Sequence, residues 1–158
     1  MTFGRYVGNI SSRFDATELM AQLASVPQWL DAGQVLPLSD GHDQVLTSDL
    51  VMGGQTVSVA IKVFGRQSFF KDWFDRRNGS KAARSYYAGE FLYQKALGTA
   101  EPIAWLDRWD HGRLVESYYL CRHVAAPCFR DALIQIYDQE QNNAGMMALL
   151  EKVAPALR

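Results

Sequence analysis

Hydrophobic and polar positions change period several times along the chain, and each change marks an element. In residues 12–24, Leu19, Met20 and Leu23 fall at helical spacing behind Asp15 and Glu18, the pattern of an N-cap pair. Pro27 is expected to end this helix, residues 28–32 to add one turn, and Gly33 to mark the exit. A short apolar run over 35–38 and the turn-forming Ser39-Asp40-Gly41-His42-Asp43 follow. Residues 44–52 and 56–64 are rich in β-branched and aliphatic side chains. Gly53-Gly54 between them suits a two-residue hairpin loop, because both positions can take positive φ. In the second of these strands Val57, Val59, Ile61 and Val63 share one face, and Lys62 lies on the other with Ala60 and Phe64.

Helical spacing returns after Gly65. Residues 68–77 carry Phe69, Phe70, Trp73 and Phe74 among cations, Asn78-Gly79 breaks the run, and Ser80 caps a longer helix over 81–97. Gly98 and Pro102 close it. Residues 103–106 and 114–121 read as two strands joined by a polar turn at Asp110-His111-Gly112. After Pro127, helices are expected over 129–137 and 146–157, with a polar loop over 138–143. The order of helix, hairpin, long helix, two strands and two helices predicts an α+β fold.

Composition narrows the setting. Among 158 residues, 48% are apolar and 12% aromatic, enough to build a core. The 16 Lys and Arg nearly balance 17 Asp and Glu, so nucleic acid is not an expected partner. The first ten residues carry Arg5 and no long apolar run, so no signal peptide is expected, and no stretch has the length of a membrane span. Cys121 and Cys128 flank His123, an incomplete zinc set. Reduced thiols in a cytoplasmic protein are the expectation. His42, His111 and His123 have no partners at ligand spacing, so no metal is expected to bind this chain through them.

The position that invites chemistry is Lys62. An ammonium in the middle of Val59-Ala60-Ile61-Lys62-Val63 is costly to bury unless a carboxylate meets it. Protein kinases use such a strand lysine to hold ATP phosphates and tie it to a glutamate on the next helix. Val59 to Lys62 matches that motif letter for letter, and Glu90 is the one glutamate in the long helix that follows. The plainer alternative leaves Lys62 on a solvent face, its stem lying on apolar neighbours.

In the run from 54 to 124 the chain resembles the lipopolysaccharide core heptose kinases and Kdo kinases, which have a protein-kinase-like fold. The resembling pieces are Val59-Ala60-Ile61-Lys62-Val63-Phe64, the basic aromatic linker over 69–77, and Ser80-Lys81-Ala82-Ala83-Arg84. They continue with Gly98-Thr99-Ala100-Glu101-Pro102-Ile103-Ala104 and Glu116-Ser117-Tyr118-Tyr119-Leu120. The resemblance implies a helical extension over 1–33, a kinase-like N-terminal lobe over 34–124, and helices over 125–158 that start a second lobe not present in the chain. It implies ATP and magnesium as cofactors, with Lys62 on the α/β-phosphates and Glu90 orienting it. Gly41 would lie in the phosphate-covering loop, and residues 120–124, with Leu120, Arg122 and Val124, would form the adenine-side hinge.

Two departures qualify these expectations. The candidate phosphate loop has a single glycine, Gly41. No His-Arg-Asp, His-Gly-Asp or Asp-Phe-Gly is present, so the chain carries neither the catalytic base nor the metal-binding Asp motif. Asp138 and Asn143 have catalytic-loop spacing, but Ile136-Tyr137 precedes them and a helix follows. The expected function is therefore the ATP-binding lobe of a lipopolysaccharide core sugar kinase, which would move the ATP γ-phosphoryl to a sugar hydroxyl. A piece of a longer kinase is one explanation; a non-catalytic kinase-like interaction module is the alternative. Residues 66–84 hold six cations against Asp72 and Asp75, which suggests a lipopolysaccharide core or anionic inner-membrane surface as partner, with solvated charges as the plainer reading.

Overall fold

The computed structural model describes residues 1–31, 36–39, 44–64 and 75–125, with helical positions 134, 144–145, 147–148 and 151 beyond them. Contacts divide the chain into two units, Met1–His123 and Val124–Arg158. The first unit is α+β. In chain order its elements are strands β1 (Thr2–Phe3) and β2 (Tyr6–Ile10), then helices α1 (Ala16–Ala24) and α2 (Val26–Asp31). Strands β3 (Leu36–Ser39), β4 (Gln44–Met52) and β5 (Gln55–Val63) precede helix α3 (Lys81–Gln94), and strands β6 (Pro102–Asp110) and β7 (Arg113–Arg122) follow it. All seven strands form one antiparallel sheet in the order β1-β2-β6-β7-β5-β4-β3.

The β4–β5 hairpin follows from its turn. Gly53 and Gly54 have φ of 58° and 72°, a conformation that L side chains resist, and the register runs unbroken from Met52↔Gln55 to Gln44↔Val63. This register sends Val59 and Ile61 into the core, both fully buried, and turns Ala60 and Lys62 to the other face. Core partners of Val59 and Ile61 include Leu50 and Met52 of β4, Leu106 of β6, and Tyr118 and Leu120 of β7. Leu19, Leu23 and Val26 of α1 and α2 belong to the same cluster, so these helices cover one face of the sheet.

The helix starts are set by single side chains. Asp15 caps α1 by accepting from Thr17 N at 2.7 Å and Glu18 N at 3.4 Å. Glu18, expected to complete that cap, instead accepts from Gly53 N at 2.8 Å and Gly54 N at 3.4 Å, pinning α1 to the hairpin tip. Gln22 exchanges two hydrogen bonds with the backbone of Val51, satisfying β4 beyond the end of its pairing with β3.

Three expectations change here. Pro27 does not end the first helix. The break comes at Ser25, and Pro27 sits in the first turn of α2, where its missing N–H breaks no helical bond. Residues 1–33 are not only a helical extension, because β1 and β2 join the sheet through the pairing of β2 with β6. The long helix ends at Gln94 rather than at 97, and Ala96 and Gly98 then take positive φ. Of the expected second-unit helices, positions 134, 147, 148 and 151 are helical; the Asp138 and Asn143 pair lies outside the described residues. So do Gly33 and most of the aromatic linker.

Candidate functional site

The site is built where α3 meets the sheet. Ser80 caps α3 by accepting from Ala83 N at 3.0 Å, and the helix packs on β6 and β7 through Ala82, Ala83, Tyr86 and Gly89. Gly89 is a contact requirement. A Cβ there would stand 2.9 Å from the Tyr119 hydroxyl and 3.0 Å from Pro102, so only glycine lets the helix lie this close. Tyr119 is the cross-strand partner of Lys62 on one side and of Trp105 on the other. Directly paired residues project to one face, so Lys62, Tyr119 and α3 share a face of the sheet. Lys62 is half-buried, and its ammonium stands 5.2 Å from the Phe64 ring centre. Lys81, the first residue of α3, approaches the same ring at 6.0 Å. Among the described residues no carboxylate pairs with Lys62.

Glu90 does not orient Lys62 as expected. Its two oxygens accept from the Arg13 guanidinium at 2.7 and 2.8 Å. Arg13, between β2 and α1, also donates to Pro102 O at 3.0 Å and to Glu101 at 3.3 Å, and lies 4.5 Å over the Tyr93 ring. The fork of an arginine fits a carboxylate bidentately, and both Glu90 oxygens are taken up in this way. Burial pushes the Glu90 carboxyl up, but hydrogen bonds led by Arg13 outweigh it and leave the carboxyl below its ordinary range. Glu101 also accepts from Arg122 Nε at 3.0 Å, so Glu90, Arg13, Glu101 and Arg122 form one chain of alternating charge. Arg13 carried no motif in the sequence. Its one hint was a lone cation beside a helix cap.

The other expected site residues distribute unevenly. Leu120 is fully buried on the α1–α2 face, and its backbone lies in the ladders to Ile61 and Ala104. Strand alternation gives the Lys62 face to its neighbours Tyr119 and Cys121 instead. Arg122 spends its N–H on Glu101 O and its side chain on Glu101, and His123 N donates to Ser58 O at 2.9 Å. Val124, 56% exposed, begins the second unit. Gly41 lies outside the described residues, as do residues 66–74 of the basic linker. In the described part of that linker Arg84 pairs with Asp75 at 2.8 Å, while Arg76 and Arg77 are exposed.

Beside Lys62 the face presents Ala60, opposite Thr47 on β4 and Cys121 on β7. Burial pushes both the Cys121 thiol and the Tyr119 phenol up, so both stay protonated near neutral pH. Near the start of α3, buried Asp107 accepts from Ser117 Oγ at 2.7 Å. Burial raises its pKa to about 6, with hydrogen bonds from Ser117 and Ser80 offsetting part of the rise. No group of three or more His, Cys, Asp and Glu suited to a metal occurs among the described residues. No helix among them is long and apolar enough to cross a membrane. Comparison with known proteins found no matching family model, no matching curated protein and no matching solved structure.

Proposed function

We propose that the first unit is a kinase-like nucleotide-binding lobe that takes ATP against the sheet face carrying Lys62. One observation carries the reading: the strand lysine and the helix bearing Glu90 fall on the same face, one cross-strand neighbour apart through Tyr119. Kinase lobes use this combination to seat triphosphate, with the lysine on the α/β-phosphates. Two further features fit an anionic ligand. Lys62 has no carboxylate partner among the described residues, and its ammonium lies by the Phe64 ring. For magnesium the described residues supply no ligand set, and no step is assigned to it.

In the enzyme reading this lobe would serve transfer of the γ-phosphoryl to a sugar hydroxyl of the lipopolysaccharide core, and its own part is to bind and orient ATP. A non-catalytic kinase-like interaction module is the second reading. The observation that favours it is the engagement of both Glu90 oxygens by Arg13.

The deciding experiment is titration of the full chain with a fluorescent ATP analogue, competed by ATP. Wild type is expected to bind, and Lys62→Met to lose at least tenfold in affinity while its circular dichroism and Tm barely change, as suits removal of one charge-assisted phosphate contact. Equal binding by both proteins sinks the site. No binding by either sinks the nucleotide reading and leaves the module.

A further inference from the structure

We propose that the solvent face of α3 docks on an anionic lipid surface, with Tyr87 and Phe91 entering the headgroup layer and Arg84 and Lys95 meeting lipid phosphates. The proposal stands apart from the nucleotide reading, because it uses the side of α3 turned away from the sheet.

Helical spacing sorts α3 into faces. Ala82, Ala83, Tyr86 and Gly89 are buried against the sheet. The opposite stripe, in steps of three and four, holds Arg84, Tyr87, Ala88, Phe91 and Lys95, and every one of them is exposed. Tyr87 is 56% exposed and Phe91 59%. One exposed aromatic needs no explanation, but two a turn apart with an alanine beside them make a patch. Cations stand at both ends of it. Arg84 is fixed there by its pairing with buried Asp75 at 2.8 Å, and Lys95 closes the helix. Arg76 and Arg77 are exposed just ahead of the α3 cap. The one carboxylate within α3, Glu90, lies off the stripe with both oxygens on Arg13. The chain as a whole has a net charge of −1, so this positive, aromatic ridge is a local feature.

Charge and area select the occupant. In a second copy, an antiparallel pairing that sets Phe91 on Ala88 also sets Arg84 against Lys95, and a parallel pairing sets each cation against itself. Like charges meet either way, so a second copy is disfavoured. Tyr87 and Phe91 together show on the order of 200 Å². A specific protein interface buries about 800 Å² per partner, much more than this convex ridge presents. A lipid surface needs less, since a few inserted rings and neighbouring cations suffice for reversible binding. Tyrosine suits the headgroup level, with its ring among the chains and its hydroxyl in the polar layer. The long stems of Arg84 and Lys95 let their charged heads reach phosphates while the stems stay on apolar surface. The helix is already capped by Ser80 and packed on β6 and β7, so docking carries no cost of folding it.

The test is co-sedimentation of the full chain with vesicles of phosphatidylcholine, alone or with about 30% phosphatidylglycerol, at low and at high salt. Wild type is expected to be retained by the anionic vesicles at low salt, and at least about fivefold less by neutral vesicles or at high salt. The double variant Tyr87→Ser, Phe91→Ser is expected to lose at least about fivefold in retention, and Lys95→Glu about fivefold. Val51→Ser, which changes an exposed apolar residue on β4, should be retained like wild type. Tm is read on every variant. Tyr87 touches the buried Tyr86 ring at 5.3 Å, so Phe91→Ser alone serves if the double variant does not fold. Equal retention of wild type and folded Phe91→Ser overturns the proposal, as does equal retention of wild type by neutral and anionic vesicles. No retention of wild type overturns it too. If wild type then elutes as a dimer and Phe91→Ser as a monomer, a second copy covers the ridge in place of lipid.

Discussion

The two faces of the sheet are built by different rules. One lies under α1 and α2 and is filled mainly by Leu19, Leu23, Val26, Leu50, Val59, Ile61, Leu106 and Leu120, fully or almost fully buried, with Tyr6 and Tyr118 turning their hydroxyls to Glu116 at its margin. The other carries α3 over β6 and β7 and gathers Lys62, Tyr119, Cys121, Asp107 and, through Glu90 and Arg13, an ion-pair chain. Apolar burial contributes about 25 cal/mol per Å², so the first face, with most of the large buried aliphatic side chains, supplies the larger apolar share. On the second face each polar group needs a named partner, and its energy depends on which partner it finds. Stability is concentrated on one side and choice on the other.

The largest test of this comparison is Leu23→Ala. Leu23 is fully exposed to none of the solvent and packs in the α1–α2 cluster. Truncation leaves a cavity, with an expected loss of about 2–5 kcal/mol and a Tm lower by roughly 6–15 °C. Affinity for nucleotide at a temperature where the variant is folded should stay within twofold of wild type. A larger change would mean that the two faces are coupled through the strands. Lys62→Met is the mirror experiment, with a large binding effect and a small Tm effect.

Asp107 tests the second face by pH. Its ordinary carboxyl pKa of 3.8 is raised to about 6 in the folded protein by burial. The sign follows directly: the folded state binds the proton more tightly, so this group favours folding below pH 4, and that contribution is lost as pH rises through 6. Facing it are Ser117 on β7, Ser80 at the cap of α3 and the like charge of Asp75, which itself holds Arg84. Asp107→Asn removes the charge. The variant is expected to be more stable than wild type by about 1–3 kcal/mol at pH 7.5, with the difference closing by pH 4. Urea midpoints of the two proteins across that range measure it. A constant difference at every pH would assign the effect to the serine hydrogen bonds instead of the charge.

How much of this could be read in the chain depends on the range of the interaction. The hairpin was legible because Gly53-Gly54 and the alternation of Val57, Val59, Ile61 and Val63 are local signals with one good solution. Ser80 and Asp15 were legible as caps for the same reason. The N-terminal strands were not, because Gly8 interrupts the inward set of Tyr6 and Ile10. That glycine is dictated from outside, since a Cβ would stand 2.1 Å from Trp105 O. The face of Lys62 could be assigned from its strand alone. The partner of Glu90 could not, since Arg13 is 77 positions away and became its neighbour only when β2 joined β6. Leu120 was placed in the site by its position in the strand, although alternation put it on the wrong face.

Gly89→Ala gives the smallest effect on stability and the sharpest view of the boundary between the faces. In an exposed helix the change would stabilise by about 1 kcal/mol, because alanine loses less backbone entropy on folding. Here the new methyl meets the Tyr119 hydroxyl at 2.9 Å and the Pro102 ring at 3.0 Å, and neither can swing freely: Pro102 is buried in β6 and Tyr119 is half-buried in β7. The helix must lift or turn by a few tenths of an ångström, at a cost of about 1–2 kcal/mol, so the two terms nearly cancel and Tm should fall by less than about 4 °C. The useful readout is therefore ATP affinity. A displaced α3 presses on Tyr119, the cross-strand neighbour of Lys62, so binding at the proposed site should shift while Tm hardly moves. A drop in Tm of the size expected for Leu23→Ala, with binding unchanged, would show that α3 is as rigidly packed as α1 and that the second face has no freedom to use.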